Sequence, residues 1–294
     1  MFELEYTEFY ITNVCNLSCE NCNRFNNFNF KGHQRWDDYA DIYKQWAEKL
    51  EIKKIGMLGG EPMLNPAFID WVNGVKALWP NSEIVIITNG TQLDRWPELY
   101  SVLQDSPNIL LEVNIHSNDL TTSVLDNISK FLKAGQQTTF YKTFNPEKLQ
   151  RRLITDNNGV RIEVSLASRF YNSSLIYNKD TNQINLHNSD PNRAIEVCLF
   201  KGCHHLIKGK LYKCGPAGIL PEFINQIKFG ISDEDKNLIN AYIPATITDS
   251  NEQLADFISG LVNHSVIPQC KFCPEKVKLA PLNLERRKIK ISKA

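Results

Sequence analysis

The sequence predicts an α/β fold: a partial (β/α)6 barrel followed by a small C-terminal domain made of a β-hairpin and helices. Three observations predict it. Through the first two-thirds of the 294 residues, apolar runs of strand length alternate with stretches of helical period, a pattern that implies parallel βαβ units. Polar or glycine-rich clusters close the strand runs, where loops converge and chemistry gathers in such folds. After about residue 170 the alternation gives way to a polar stretch, then to a hairpin pattern flanked by cysteines.

Taken in order, "EFYIT" (8–12) is the first strand. Trp36, Tyr39, Tyr43, Trp46 and Leu50 recur at helical spacing, and this stripe reads as core packing. "IKKIGMLGG" (52–60) is the second strand, closed by Gly-Gly. Phe68, Val72, Val75 and Trp79 mark a helix that Pro80 stops. "EIVIITNG" (83–90) ends in Asn-Gly, "RWPELYSVLQ" is a short helix, and "NILLEVNIHS" (108–117) is the fourth strand. Leu120, Val124, Ile128 and Phe131 give the next helix, and "TTFYKTF" (138–144) and "GVRIEVSLAS" (159–168) complete six strands. The segment 171–197 is rich in Asn, Ser and Asp and suits a linker or a last barrel element. Within 198–216, "HHLI" and "KLYKC" form a hairpin, and helices follow around 219–229 and 252–262 before "PQCKFCP". The division is therefore 1–170, 171–197, 198–280 and a basic tail at 281–294.

Composition narrows the function. Apolar residues make up 42% and charged residues 22%, which is ordinary for a globular protein. With 33 basic and 33 acidic side chains, the chain gives no reason to expect nucleic acid or an anionic membrane as partner. The start of the chain lacks a basic segment followed by an apolar one, and no window approaches about 18 uninterrupted apolar residues. A cytoplasmic protein is expected, and in that reducing compartment clustered cysteines read as metal or redox groups rather than disulfides.

Three of the eight cysteines, Cys15, Cys19 and Cys22, fall in "NVCNLSCENCN" (13–23), just after the first strand. A [4Fe–4S] cube held by three thiolates leaves one iron open to another ligand; a closed zinc site asks for a fourth Cys or His. "GGEP" follows the second strand: two glycines permit close backbone approach, and Glu61 offers a carboxylate to an amino group.

Cys-x3-Cys-x2-Cys after the first strand, with Gly-Gly-Glu-Pro ending the second, resembles the radical S-adenosylmethionine (SAM) superfamily, over residues 8 to about 170. The resemblance implies a TIM-like partial barrel in which Cys15, Cys19 and Cys22 hold the cluster and SAM chelates the open iron. It implies that Gly59, Gly60 and Glu61 engage the SAM amino group. Thr88 and Asn89 match a polar turn near the nucleoside, and Ser117 is a ribose candidate. It also implies reductive cleavage of SAM to a 5′-deoxyadenosyl radical that removes hydrogen from a substrate carbon, with an electron donor such as flavodoxin or ferredoxin. No side-chain base is needed for that abstraction. One departure is Asn21, where many members carry an aromatic residue; Phe25 or another aromatic is the alternative adenine neighbour.

The other cysteines are Cys198, Cys203, Cys214, Cys270 and Cys273. Their arrangement is similar to the auxiliary-cluster domain called twitch, related to SPASM. It implies a second [4Fe–4S] cluster on Cys198, Cys214, Cys270 and Cys273, with Cys203 either replacing Cys198 or free. A second cluster fits net oxidation of a small molecule such as a sugar or cyclitol. It also fits modification of a ribosomal peptide, although the first strand starts too early for the N-terminal peptide-clamp domain such enzymes often carry. A non-catalytic zinc protein is the alternative from another class. His204 and His205 adjoin a cysteine but read as strand residues, of which at most one faces a cluster. His116 either lines the pocket or is a satisfied barrel histidine. Arg151, Arg152 and Arg161 read as solvated surface.

Overall fold

The computed structural model describes residues 1–132 and 152–281, apart from 157, 168, 179, 182 and 228. The expected strand at 138–144, Arg151 and the tail beyond 281 lie outside the described residues.

The N-terminal half follows the predicted alternation. Strands β1 (Phe2–Tyr10), β2 (Leu50–Leu58), β3 (Glu83–Thr88) and β4 (Ile109–Ile115) are joined through helices α1 (Ala40–Lys49), α2 (Phe68–Leu78) and α3 (Leu99–Gln104). Helix α4 (Asn118–Phe131) follows β4, and Ser117 caps it by accepting the Asp119 N–H. The last four residues of β1 and of β2 are buried without alternation, as expected of parallel strands covered on both faces. Tyr43 and Trp46 of α1 and Phe68, Trp71, Val72 and Val75 of α2 pack on one side of the sheet. Beyond the gap come β5 (Arg152–Thr155) and β6 (Arg161–Leu166); β6 runs parallel to β4, and β5 is antiparallel at the edge.

The C-terminal hairpin, β10 (His204–Ile207) and β11 (Lys210–Tyr212), does not stand apart. The strand β10 pairs in parallel with β1, with Glu8 opposite His205. The sheet order is β11-β10-β1-β2-β3-β4-β6-β5. The parallel strand that flanks β1 therefore comes from a segment that sequence reasoning assigned to the auxiliary domain. All four residues of "HHLI" are buried; histidine content concealed a doubly covered strand. Segment 171–197 is also more ordered than a linker. It holds part of β7 (Arg169–Tyr171), the hairpin β8 (Leu175–Asn178) and β9 (Gln183–Leu186), and α5 (Pro191–Glu196). The chain continues through α6 (Gly215–Gln226), α7 (Asp233–Asn240) and α8 (Asn251–Val262) to β12 (Leu279–Pro281), which pairs with β7. The polar α7 escaped detection because it buries a single residue, Ile239.

Two cores result. The larger lies between the sheet and helices α1, α2 and α4. The smaller gathers Phe25, Phe28 and Phe30 from the loop after β1 around Phe223 of α6, and includes Phe272 between two of the C-terminal cysteines. Phe223 is fully buried, with ring centroids 5.1 Å from Phe25, 5.4 Å from Phe28 and 5.5 Å from Phe30. It thus joins the two cysteine-bearing regions. Phe223→Ala is expected to cost about 3–5 kcal/mol, read as a lowered urea midpoint; a loss below about 1 kcal/mol would contradict this role.

Candidate active site

The loop that follows β1 is fixed before any ligand arrives. The Asn13 N–H donates to the Gly32 carbonyl at 2.8 Å, the Cys22 N–H to the Cys19 carbonyl at 3.3 Å, and the Phe25 N–H to the Cys22 carbonyl at 3.1 Å. Asn26 Nδ2 donates to the Asn13 carbonyl at 2.6 Å. Asn21 lies at φ 62°, a left-handed conformation that asparagine tolerates better than most residues. Phe25 is buried against Phe223 and is not among the residues lining the cavity.

The end of β2 is pressed onto this loop. The Gly60 N–H donates to the Thr12 carbonyl and the Glu61 N–H to the Val14 carbonyl, both at 2.8 Å. A Cβ on Gly59 would lie 2.6 Å from the Thr12 carbonyl oxygen; one on Gly60 would lie 2.4 Å from that of Val14 and 2.9 Å from Cys15 Cβ. These neighbours are mostly backbone and cannot yield, so both positions require glycine.

Cys15, Cys19, Cys22, Gly59, Gly60, Thr88, Asn89, Asn114 and His116 line one cavity of about 570 Å³. The clusters expected at one rim therefore meet. Two sequence-derived site residues are placed otherwise. Glu61 is fully buried, and its carboxylate accepts the Met63 N–H at 3.1 Å, the Thr88 hydroxyl at 2.7 Å and the Asn89 N–H at 2.8 Å. It staples the end of β2 to that of β3 instead of reaching an amino group. Burial pushes its carboxyl up to about 7 against the pull of those three donors. Ser117 is the cap of α4 and does not line the cavity. Asn89 bridges to the cysteine loop, donating from Nδ2 to Asn16 Oδ1 at 2.9 Å. His116 is held neutral by burial, its pKa lowered to about 4, and packs edge-on against Phe170 at 5.3 Å. Among the described residues, Phe170, Tyr171 and Phe200 are aromatic side chains lining the cavity; Phe170 and Tyr171 fall where the polar segment begins and Phe200 in the cysteine-flanked stretch assigned to the auxiliary domain.

The other cysteines divide. Cys198, Cys214, Cys270 and Cys273 line two adjoining cavities. Cys214 and Cys273 line both a cavity of about 30 Å³ shared with Cys270 and one of about 80 Å³ shared with Cys198. Burial raises Cys214 to about 11 and Cys273 to about 12, so an incoming metal must displace their protons. Cys203 belongs to a different network. The Arg24 guanidinium pairs with Glu8 Oε2, His205 Nε2 lies 2.7 Å from the same oxygen, and Tyr6 donates to Glu8 Oε1 at 3.0 Å. Burial alone would raise the Glu8 carboxyl, yet Arg24 and His205 hold it well below the usual carboxylate range, while burial and Glu8 push the Cys203 thiol up. His204 is likewise buried, with Nδ1 2.9 Å from the Lys213 carbonyl oxygen. Arg161 bonds the Pro107 carbonyl at the surface.

Donor spacing tests what these sets can hold. A tetrahedral zinc draws its sulfurs together around bonds of about 2.3 Å, whereas thiolates on separate irons of a cube stand farther apart. Among the described residues, no three of the cysteines bring their sulfurs within 4.8 Å of one another; only Glu8, Cys203 and His205 make such a group. That trio already carries the Arg24 cation on its carboxylate, which opposes a further divalent ion. Neither thiol set has the close sulfur spacing of a closed zinc site among the described residues. In addition, the Leu17 N–H points at Cys15 Sγ from 3.4 Å, a donor of the kind that tunes iron–sulfur clusters.

Three thiols, a glycine pair and a polar turn thus meet at one cavity at the end of a mainly parallel sheet. Residues 9–140 match the model of the Radical SAM superfamily, a family that works with a [4Fe–4S] cluster and SAM. The chain is 28% identical over 132 residues to the GTP 3′,8-cyclase of Clostridium perfringens (strain SM101 / Type A), covering 44% of this chain and 39% of that one. The GTP 3′,8-cyclase of Rippkaea orientalis (strain PCC 8801 / RF-1) is 27% identical over 176 residues, 55% of this chain and 52% of its own. The match thus spans about half or less of those relatives. The crystal structure of BtrN in complex with AdoMet and 2-DOIA overlaps 89% of this chain and 88% of its own, at 16% identity and a TM-score of 0.44.

Two outcomes follow. Gly60→Ala should displace Cys15 and take up less iron on reconstitution than Gly230→Ala, where a Cβ meets nothing within 4 Å; equal uptake would contradict the close fit. For Glu61, the folded carboxyl binds its proton more tightly than the unfolded one, whose pKa is about 4.3. Its contribution is therefore fully present below that value and lost as pH rises through about 7. The unfolding free energy of the metal-free protein should fall across this window more steeply than that of Glu61→Gln; equal slopes would contradict the assignment.

Proposed function

We propose that the chain reductively cleaves SAM at a cluster held by Cys15, Cys19 and Cys22 and removes hydrogen from a carbon of a small, uncharged, hydroxyl-bearing molecule such as a sugar or cyclitol, with net oxidation. Cys198, Cys214, Cys270 and Cys273 are proposed to hold a second [4Fe–4S] cluster. When bound, the two clusters supply one-electron chemistry: reduction of the SAM sulfonium at the first, and reception of a substrate electron at the second. An external one-electron donor such as flavodoxin or ferredoxin completes the reaction.

The observation that carries this reading is that the cavity beside the first thiol set and the cavity beside the second share a wall. Asn23, Arg24, Tyr171, Asn172 and Phe200 line both. A substrate held at that wall lies between the two sets. The residues there can bind and orient it: Asn21, Asn23, Asn26, Asn89, Asn114 and Asn172 line the larger cavity, and carboxamides both donate to and accept from hydroxyl groups. Among the described lining residues the cation is Arg24, and Glu8 already neutralises it. This is a poor setting for a nucleoside triphosphate, so the substrate named in the cyclase relatives is not carried over. Phe170, Tyr171 and Phe200 offer aromatic faces against which the carbon skeleton of such a molecule can pack.

Reconstituted without oxygen, the protein should hold about eight irons per chain as two cubes and release 5′-deoxyadenosine when given SAM and dithionite. Cys19→Ala should abolish that release; Cys273→Ala should retain SAM cleavage but form no oxidised product. Equal residual cleavage in both variants, or stoichiometric zinc in place of iron, would overturn the reading.

A further inference from the structure

His116 stands one residue beyond β4, at the end of the sheet where the first thiol set also gathers. The Ala167 N–H donates to the Ile115 carbonyl at 2.8 Å and fixes the backbone just before it. The imidazole lines the larger cavity and stands perpendicular to Phe170, with ring centroids 5.3 Å apart. Its Nδ1 is buried and has no hydrogen-bond partner among the described residues. With Nδ1 enclosed, Nε2 is the nitrogen that can meet a ligand in the cavity. Burial alone keeps the ring neutral; among the described residues no charged group contributes. A polar ring left without a partner in a cavity wall costs stability, and a ligand is what can repay it.

The oxidation proposed above needs such a group. Hydrogen abstraction leaves a carbon radical beside a hydroxyl, and closing C=O from that radical releases one electron and one proton. The electron is taken by the second [4Fe–4S] cluster; the proton needs an acceptor inside the cavity. Glu8 is another candidate on the cavity wall, but Arg24, His205 and Tyr6 already hold its carboxylate. The carboxamides that line the cavity are hydrogen-bonding groups and not bases. A strong base is not required. As the electron leaves, the hydroxyl becomes that of a protonated carbonyl, a strong acid, so an imidazole weakened by burial is adequate.

We propose that His116 is the proton acceptor of this oxidation, its Nε2 taking first the hydrogen bond and then the proton of the substrate hydroxyl. The O–H bond breaks, an N–H bond forms on the imidazole, the electron passes to the second cluster and C=O closes. The inference rests on the function proposed above. It concerns the step after hydrogen abstraction; the abstraction itself uses no side-chain base.

The first arm of the test needs neither metal nor substrate. Nitrogen NMR of the isotope-labelled, metal-free full chain, with His116→Gln identifying the signal, should show a neutral His116 ring at about pH 7; an imidazolium there would overturn the proposal. In the second arm the reconstituted chain receives SAM, dithionite and, as probes, myo-inositol, scyllo-inositol, D-glucitol and D-glucose. His116→Ala should lower the oxidised product formed per 5′-deoxyadenosine released by about 100-fold, and added imidazole should restore much of it. His116→Gln, which can hydrogen-bond but cannot take up the proton, should stay as low as His116→Ala without imidazole. A wild-type ratio in either variant, or a loss that imidazole does not relieve in a variant with full iron, would overturn the proposal. Should the wild type release 5′-deoxyadenosine and oxidise none of the probes, the proposed substrate class fails, a result that the nitrogen signal separates from failure of the His116 assignment.

Discussion

The site depends on one close approach: the end of β2 against the cysteine loop, backbone to backbone. Gly59 and Gly60 let the chain come within hydrogen-bonding distance of Thr12 and Val14, and Glu61 then ties the same strand end to Thr88 and Asn89. The loop bearing Cys15, Cys19 and Cys22 is thereby clamped to the rim of the parallel sheet before any metal binds. Such preorganisation keeps three thiols facing one cavity. That geometry is what a cluster with a vacant corner requires.

A second constraint brings the C-terminal cysteines to the same chamber. Phe223 packs against the aromatic residues of the first loop, and β10 pairs directly with β1. Between them sits a buried, charge-balanced group of Glu8, Arg24, His205 and Cys203. Gly215, next to Cys214, has no room for a side chain because Arg24 and His205 fill the space. Arg24 is thus in contact with both halves of the chamber, and its pairing with Glu8 leaves recognition to carboxamides and aromatic rings.

Much of this was legible from residues alone. The spacing of Cys15, Cys19 and Cys22, the Gly-Gly-Glu-Pro strand end and the alternation of periods located the cavity and its rim. What escaped has physical causes. Glu61 was read by its chemistry, but three donors from its own neighbourhood claim the carboxylate, which no spacing argument reveals. Ser117 has the residue type and position of a helix cap, and that local role prevailed. His204 and His205 hid a strand buried on both faces, because periodicity cannot separate such a strand from a polar hairpin when its apolar residues are replaced by histidine. Phe170 and Tyr171 border a segment rich in Asn and Ser, where the turn signal masks side chains that the cavity uses, and Phe200 lies among cysteines read for their ligand chemistry alone.

The measurement that addresses the central claim most directly is electron–nuclear double resonance on the reduced, oxygen-free protein with SAM labelled at the methionyl nitrogen. The account predicts hyperfine coupling from that nitrogen to the cluster on Cys15, Cys19 and Cys22, as direct coordination to an iron demands. Absence of coupling in a protein that binds SAM and holds that cluster would contradict it.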